Sequence, residues 1–347
     1  MPVIQASDIG DLIRNSLNRL NRGKFTELAT DRQKFVFTKP MIKKSKVVFD
    51  SGPLFQWNLM IDHNHSAESV GLYHVDTVNA TDVMIQAQMP WRQLHASYPI
   101  DHHEITRNSG EAKIVDMLLT RRKSCMISLI EKMEYLAWRC PADSNTLDFA
   151  GIPYWIVKNN TTGFNGTVGA SVTSVANVSS TTYTRWRNYT AQYTDVTKDE
   201  LVDKWARAAE FTDWDPPVDG LPTFNTGNSY GFYSNWSVIG TLRRLLEDQN
   251  EDLGSDLDSM NGKVMFQRSP VVRVPELEND TTNPVYGVNW GVFKIATESG
   301  WWMKETVVDQ AAKQHNVSEY HLDLSIQPHC YDRRRLFVLA TNTTMPA

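Results

Sequence analysis

Within the first hundred residues, apolar side chains recur at every second position in two stretches. Phe55, Trp57, Leu59 and Ile61 form one set, with Gln56 and Asn58 between them. Val83, Ile85, Ala87 and Met89 form the other, interleaved with Gln86 and Gln88. Period two places alternate side chains on one face of a strand. The tract between, residues 62–69, is polar and has no turn dipeptide. The pattern predicts a long antiparallel excursion with a loose tip. A two-stranded ribbon is marginal alone in water. Phe55, Trp57, Leu59 and Ile61 are therefore expected to be partly wet in one subunit and to clamp a neighbouring subunit.

Helical spacing takes over elsewhere. Ile9, Leu12, Ile13, Leu17 and Leu20 share one face of a short helix over 7–22, capped by Ser7 and stopped by Gly23. Ile114, Leu118, Cys125, Leu129, Met133 and Leu136 predict a helix over 109–139, ended by Pro141. Thirty-one residues would span about 46 Å, a spine across a plate-like subunit. Residues 150–195, rich in Gly, Thr, Ser, Asn and Val, read as strands and loops. Thr197-Lys198-Asp199-Glu200 is a capping box, and a further helix is expected over 234–253. Later strands are expected around 264–266, 271–274, 288–295, 320–326 and 335–340. Strands and helices mix without a βαβ rhythm or an internal repeat, so the fold class is α+β.

Charge changes the picture at the N-terminal end. The chain carries a net charge of −5, which argues against a dedicated nucleic-acid binder. Residues 1–46 are nevertheless basic, with Arg14, Arg19, Arg22, Lys43, Lys44 and Lys46 among their cations, whereas residues 247–258 are acidic. The basic segment reads as an arm able to lie on an acidic partner, either a neighbouring subunit or DNA. Three scattered cysteines, Cys125, Cys140 and Cys330, form neither a disulfide framework nor a zinc spacing. A reducing cytoplasm is the expected site of synthesis. There is no apolar run of membrane-spanning length and no basic-then-apolar leader.

Candidate chemistry is sparse. Six of nine histidines fall at His63, His65, His74, His95, His102 and His103, with Asp62 and Glu104 nearby. They are either a transition-metal site or a polar hairpin that happens to use histidine. Gly163, Gly166 and Gly169 follow an apolar stretch, but a strand-like segment rather than a helix comes next, against a phosphate loop. Cys125 lies on the apolar stripe of the long helix, as a buried structural thiol would. Arg121-Arg122-Lys123 is either a patch facing DNA or a set of salt-bridging and solvated charges. No nucleophile elbow or zinc-protease motif is present. No catalytic residue, metal or cofactor is assigned. Trp, 11 in the chain, fits a protein with several self-contacts.

The order of arm, hairpin, spine helix and mixed α+β body resembles the major capsid proteins of tailed double-stranded-DNA phages, the Hong Kong 97-like fold. Asn108-Ser109-Gly110 leading to Lys113-Ile114-Val115-Asp116 looks like the start of that family's spine helix. Gly151-Ile152-Pro153-Tyr154-Trp155-Ile156-Val157 looks like the strand after it. Trp186-Arg187-Asn188, the pair Ser269-Pro270-Val271-Val272 and Tyr286-Gly287-Val288-Asn289-Trp290, and the ending Asp332-Arg333-Arg334-Arg335-Leu336-Phe337-Val338-Leu339 also fit. The resemblance implies an arm over 1–46, an extended hairpin over 47–106, a spine helix and peripheral domain over 107–150, and interleaved axial and peripheral domains over 151–347. It implies hexamers and pentamers of one subunit closing into an icosahedral shell around DNA, assembled in a host bacterial cytoplasm. A separate scaffolding protein and a portal, with or without a decoration protein, are the further partners implied. An acidic residue that many relatives carry after the late glycine is replaced here by Val288. The alternatives are an encapsulin-like nanocompartment shell, which shares the fold, and a carbohydrate-binding or hydrolytic α+β protein.

Overall fold

The computed structural model describes residues 34–65, 67–73, 75, 82–107, 111–214, 229–248, 264–267, 269–309 and 316–341. The helix expected over 7–22 lies outside them. The first third of the chain forms strands β1 (Val47–Asp50), β2 (Phe55–Met60), β3 (Met84–Met89) and β4 (Gln93–Asp101). The middle contributes β5 (Gly163–Gly166), β6 (Asn188–Gln192) and β7 (Tyr230–Ser234). Then come β8 (Met265–Phe266), β9 (Ser269–Arg273), β10 (Val285–Asn289) and β11 (Phe293–Glu298). Strands β12 (Lys304–Val308), β13 (Val317–Ser325), β14 (Gln327–Cys330) and β15 (Phe337–Ala340) complete the set.

These strands form four sheets. The largest, ordered β5-β6-β15-β10-β7-β9-β8, is mixed. One face packs on the helices Asp203–Thr212 and Trp236–Asp248, burying Trp205, Phe232, Leu242, Phe337 and Leu339. A second core surrounds the long helix Glu111–Ala137, whose Cys125, Leu129, Met133 and Leu136 are buried. This helix has 27 residues, about 40 Å. It lies on the sheet β12-β13-β4, where β4 turns Leu94, Tyr98 and Ile100 inward and leaves Gln93, His95, Ser97 and Pro99 exposed.

Only β2 and β3 form the ribbon, in register from Phe55 opposite Met89 to Met60 opposite Met84. The strands on either side leave it: β1 pairs in parallel with β11, and β4 pairs along its whole length with β13. The excursion is thus narrower than 47–106, because alternation marks a dry face without naming the strand beside it.

Two expected strands take another form. Residues 151–157 make a short helical turn at Ile152–Trp155, with Pro153 in its first turn. Proline cannot donate to a ladder but suits a first helical turn. Gly151 presses on the end of the long helix, where a Cβ would stand 2.4–2.6 Å from the carbonyl oxygens of Arg139, Ala137 and Leu136. Residues 288–295 divide between β10 and β11, which belong to different sheets. Asn289 makes the break, its Oδ1 accepting from the Gly291 amide at 2.9 Å. Half of the Thr197 capping box forms: Thr197 Oγ1 accepts from the Glu200 amide, while the Glu200 carboxylate turns to the Thr194 amide and Lys204. The helix expected from 234 begins where Asn235 Oδ1 accepts from the Val238 amide.

Candidate assembly surfaces

The ribbon has a buried root and an exposed outer part. At the root, Phe55, Trp57 and Leu59 are 3%, 8% and 8% exposed in the subunit alone, and Ile61 is half-buried. The Phe55 and Trp57 rings stand 4.5 and 5.3 Å from the His329 ring, and Trp57 also meets Trp155. The expectation that this face is wet in an isolated subunit is therefore corrected: β14 and the turn Ile152–Trp155 cover it. His329 is itself fully enclosed, and burial pushes its pKa down to about 3, so a neutral imidazole fills the gap. Trp57→Ala should accordingly lower the stability of the unassembled subunit by about 3–5 kcal/mol, the usual cost of emptying a large aromatic site. Thermal melting of the subunit checks this; an unchanged melt would return Trp57 to an interface between subunits.

The outer part reverses the pattern. Met60 and Met84, opposite one another at the ribbon's end, are more than half exposed. Beyond them Leu72, Tyr73 and Val75 are 94%, 99% and 82% exposed. A run of apolar side chains held in water is unfavourable unless a partner covers it. Asp62 steadies the base of this segment, with His65 Nε2 at 2.8 Å and Arg185 Nη1 at 3.6 Å. The His65 hydrogen bond, then the His63 amide, hold the Asp62 carboxyl below its usual range. His74 lies outside the described residues.

The N-terminal segment is clipped to the long helix by one buried carboxylate. Glu134 accepts from the amides of Val36, Phe37 and Thr38 at 2.8–3.1 Å and from the Thr38 hydroxyl at 2.8 Å. Trp138 Nε1 donates to it at 3.1 Å. Thr38 is the first residue of the helical turn Thr38–Met41, Phe37 is its N-cap and Val36 leads into it, so the Thr38 amide is one of the turn's first N–H groups, which have no partner within the turn. A carboxylate from another helix caps it instead. Of the basic-arm residues, Arg14, Arg19 and Arg22 lie outside the described residues. Lys43 is exposed, and Lys44 opens the 3-10 turn Lys44–Lys46. Lys46 departs from the arm reading, because its ammonium donates to the Trp290 carbonyl at 2.5 Å and burial lowers its pKa.

The basic triplet on the long helix is largely committed within the subunit. Arg121 pairs with Glu104 at 2.8 Å and also donates to the Pro99 carbonyl. Arg122 pairs with Glu305 at 2.7 Å. Cys125 is buried, and burial pushes its thiol pKa up. Among the described residues, no group of three or more His, Cys, Asp or Glu side chains is placed to hold a metal ion. No described helix is long and apolar enough to cross a membrane.

Arg333 belongs in sequence to a basic ending, and the fold makes it an internal fastener. Its guanidinium is fully buried and donates to the carbonyls of Trp155, Gly166, Thr167 and Trp186 and to Asn188 Oδ1, at 2.8–3.2 Å. Burial pushes its pKa down to about 10, so it stays charged at neutral pH. Asn188 in turn bonds the Val157 amide and carbonyl, each at 3.0 Å. Gly166 leaves room for that amide: a Cβ there would lie 2.0 Å from Asn188 Oδ1. Gly166 thus serves packing around Arg333, whereas Gly163 takes a left-handed φ of 122° and Gly169 lies against Cys140 Sγ.

No protein-family model and no curated protein matches the chain. Solved structures do match over nearly its whole length. The cyanophage A-1(L) capsid asymmetric unit superposes with a TM-score of 0.64 at 12% identity, covering 93% of this chain and 97% of that one. The capsid of the native GTA particle gives 0.56 at 11% identity, covering 93% and 96%. A Gordonia phage Cozz structure gives 0.51 at 12% identity, covering 93% and 90%. The chain therefore has the α+β fold of phage capsid proteins, the Hong Kong 97-like fold.

Proposed function

We propose that this chain is a major capsid protein, a structural subunit without catalytic activity. Identical copies form hexamers and pentamers that close into an icosahedral shell around the double-stranded DNA of a tailed phage. The fold supports this reading across nearly the whole chain, but the observation that carries it is the exposed apolar segment beyond Met60 and Met84. Leu72 and Tyr73 have no cover within the described subunit, and a second copy of the chain is the partner a repeating shell supplies. Burying each gives roughly 1.5–3 kcal/mol. Identical contacts repeated head to tail generate closed rings. The basic arm, with Arg14, Arg19, Arg22, Lys43 and Lys44, meets acidic surface of neighbours or the DNA backbone without reading sequence. A scaffolding protein and a portal, with or without a decoration protein, complete the particle. Assembly takes place in the host bacterial cytoplasm, and the finished subunit resides in the virion.

The test is assembly of purified protein with its scaffold, followed by sedimentation and electron microscopy. Closed shells are expected. The double variant Leu72→Ser/Tyr73→Ser should keep the melting temperature of the subunit and fail to close shells. A wild-type protein that stays monomeric with scaffold present would overturn the shell reading. Normal shells from the variant would remove the tip from the contact.

A further inference from the structure

The exposed face of the sheet β12-β13-β4 carries two histidines brought together from opposite ends of the chain. His95 on β4 and His321 on β13 lie on one face, with Asp323 directly opposite His95. His95 Nε2 and His321 Nδ1 are 3.3 Å apart, with ring centroids 5.0 Å apart and planes inclined by 33°. Each ring's other nitrogen faces a carboxylate. His95 Nδ1 lies 2.7 Å from Asp323 Oδ1, and His321 Nε2 lies 3.8 Å from Glu319 Oε2.

The Asp323 contact decides the His95 tautomer. A neutral imidazole carries one N–H, and a carboxylate accepts but cannot donate. Asp323 draws the His95 proton to Nδ1 and leaves a lone pair on Nε2; Glu319, beyond hydrogen-bond distance, favours an N–H on the Nε2 side of His321 without fixing it. Without metal, His321 Nδ1–H donates to His95 Nε2 across the 3.3 Å gap; with the His321 proton on Nε2 instead, both inner nitrogens turn lone pairs toward that gap. Two imidazole nitrogens on one zinc ion, each about 2.0–2.1 Å from it at a tetrahedral angle, stand about 3.3 Å apart. A carboxylate behind each ligating imidazole is the usual outer support of such a site, fixing tautomer and ring orientation. Lys304, opposite Asp323 on β12, holds its ammonium 4.2 Å from the Trp301 ring centroid.

We infer that His95 and His321 form a two-imidazole chelate for a zinc-class divalent transition ion on the outer face of this sheet. Asp323 and Glu319 act as positioning residues, and water completes the ion's coordination. Two protein ligands rather than three make the ion exchangeable, so the site takes up metal from solution instead of depending on it to fold.

Zn²⁺ titration of the chelator-stripped full chain at pH 7.5 tests this, alongside the variants His95→Gln/His321→Gln and Asp323→Asn. Because the two histidine side chains are partly to half exposed, circular dichroism and melting of the metal-free variants should match the wild type. The wild type is expected to bind one saturable ion per subunit that the double variant lacks. Asp323→Asn should weaken that ion about 10- to 100-fold. Zn²⁺ should raise the melting temperature of the wild type and not of the double variant. Co²⁺ in place of Zn²⁺ should give visible absorption bands that disappear in the double variant. Equal stoichiometry and affinity in wild type and double variant would assign the binding to other histidines and overturn the site. No saturable binding to the wild type would leave only a hydrogen-bonded histidine pair, with the same consequence.

Discussion

Arg333→Met should leave a subunit that no longer folds stably at 37 °C, the largest effect expected of any single substitution in this chain. The guanidinium joins the end of the turn Ile152–Trp155, the loop at Gly166 and Thr167, and the start of β6 through one fan of donors. Methionine fills much of the volume and offers no donor. Four carbonyls and the Asn188 oxygen would then lose their partner, at about 1–3 kcal/mol for each group left buried and unsatisfied. Removing a buried charge returns part of this, since burying a guanidinium is itself costly. A net loss of about 4 kcal/mol or more remains, a large share of the roughly 5–15 kcal/mol that holds a typical domain. Arg333→Lys should recover only part, because three donors on a point charge cannot span the five acceptors of the fork. Chemical denaturation of the soluble subunit gives the measurement. A methionine variant within 1 kcal/mol of wild type would show that the surrounding backbone satisfies itself without Arg333.

Glu134→Ala is expected to come second and to act on assembly as well as stability. The substitution strips partners from the amides of Val36, Phe37 and Thr38, the Thr38 hydroxyl and the Trp138 indole. Hydrogen bonds to a charged acceptor contribute about 1.5–3 kcal/mol each. They are not additive at one carboxylate, so the expected loss is about 3–5 kcal/mol. Residues 36–41 should come away from the long helix first, because Glu134 holds their opening amides. Hydrogen exchange separates this from general unfolding: amides 36–38 should lose protection at denaturant concentrations where β10 and β15 keep theirs. An arm without its anchor would leave the body in a different place, and shell yield should fall with the protection. Glu134→Gln retains one acceptor oxygen and should fall between. Full protection of amides 36–38 in the alanine variant would refute the clip.

The features legible in the residues alone are those that depend on near neighbours. Alternation at 55–60 and 84–89 marks strands because side-chain direction repeats every second residue. The spacing of Cys125, Leu129, Met133 and Leu136 marks the long helix for the equivalent reason at 3.6. Thr197 and Glu200 announce a helix start because the cap closes within four residues. The order of these elements also carried the likeness to phage capsid proteins.

Partners far apart in the chain were decided only by the tertiary structure. Phe55, Trp57 and Leu59 display an apolar face, but nothing local tells whether Trp155 and His329 or another subunit will cover it. Gly151 to Val157 has strand-like composition, and the end of the long helix turns it into a helical corner. Arg333 and Arg334 are chemically identical neighbours. One is enclosed among carbonyls from residues 155–186; the other reaches out to Asp332 and over the Trp214 ring. His95 and His321 are separated by 226 positions and meet because β4 and β13 pair along nine residues. Periodicity specifies which side of an element is dry. Which element covers it depends on strand pairing and packing that close only when the whole chain has folded, because the free energy of burial belongs to the contact and not to either residue alone.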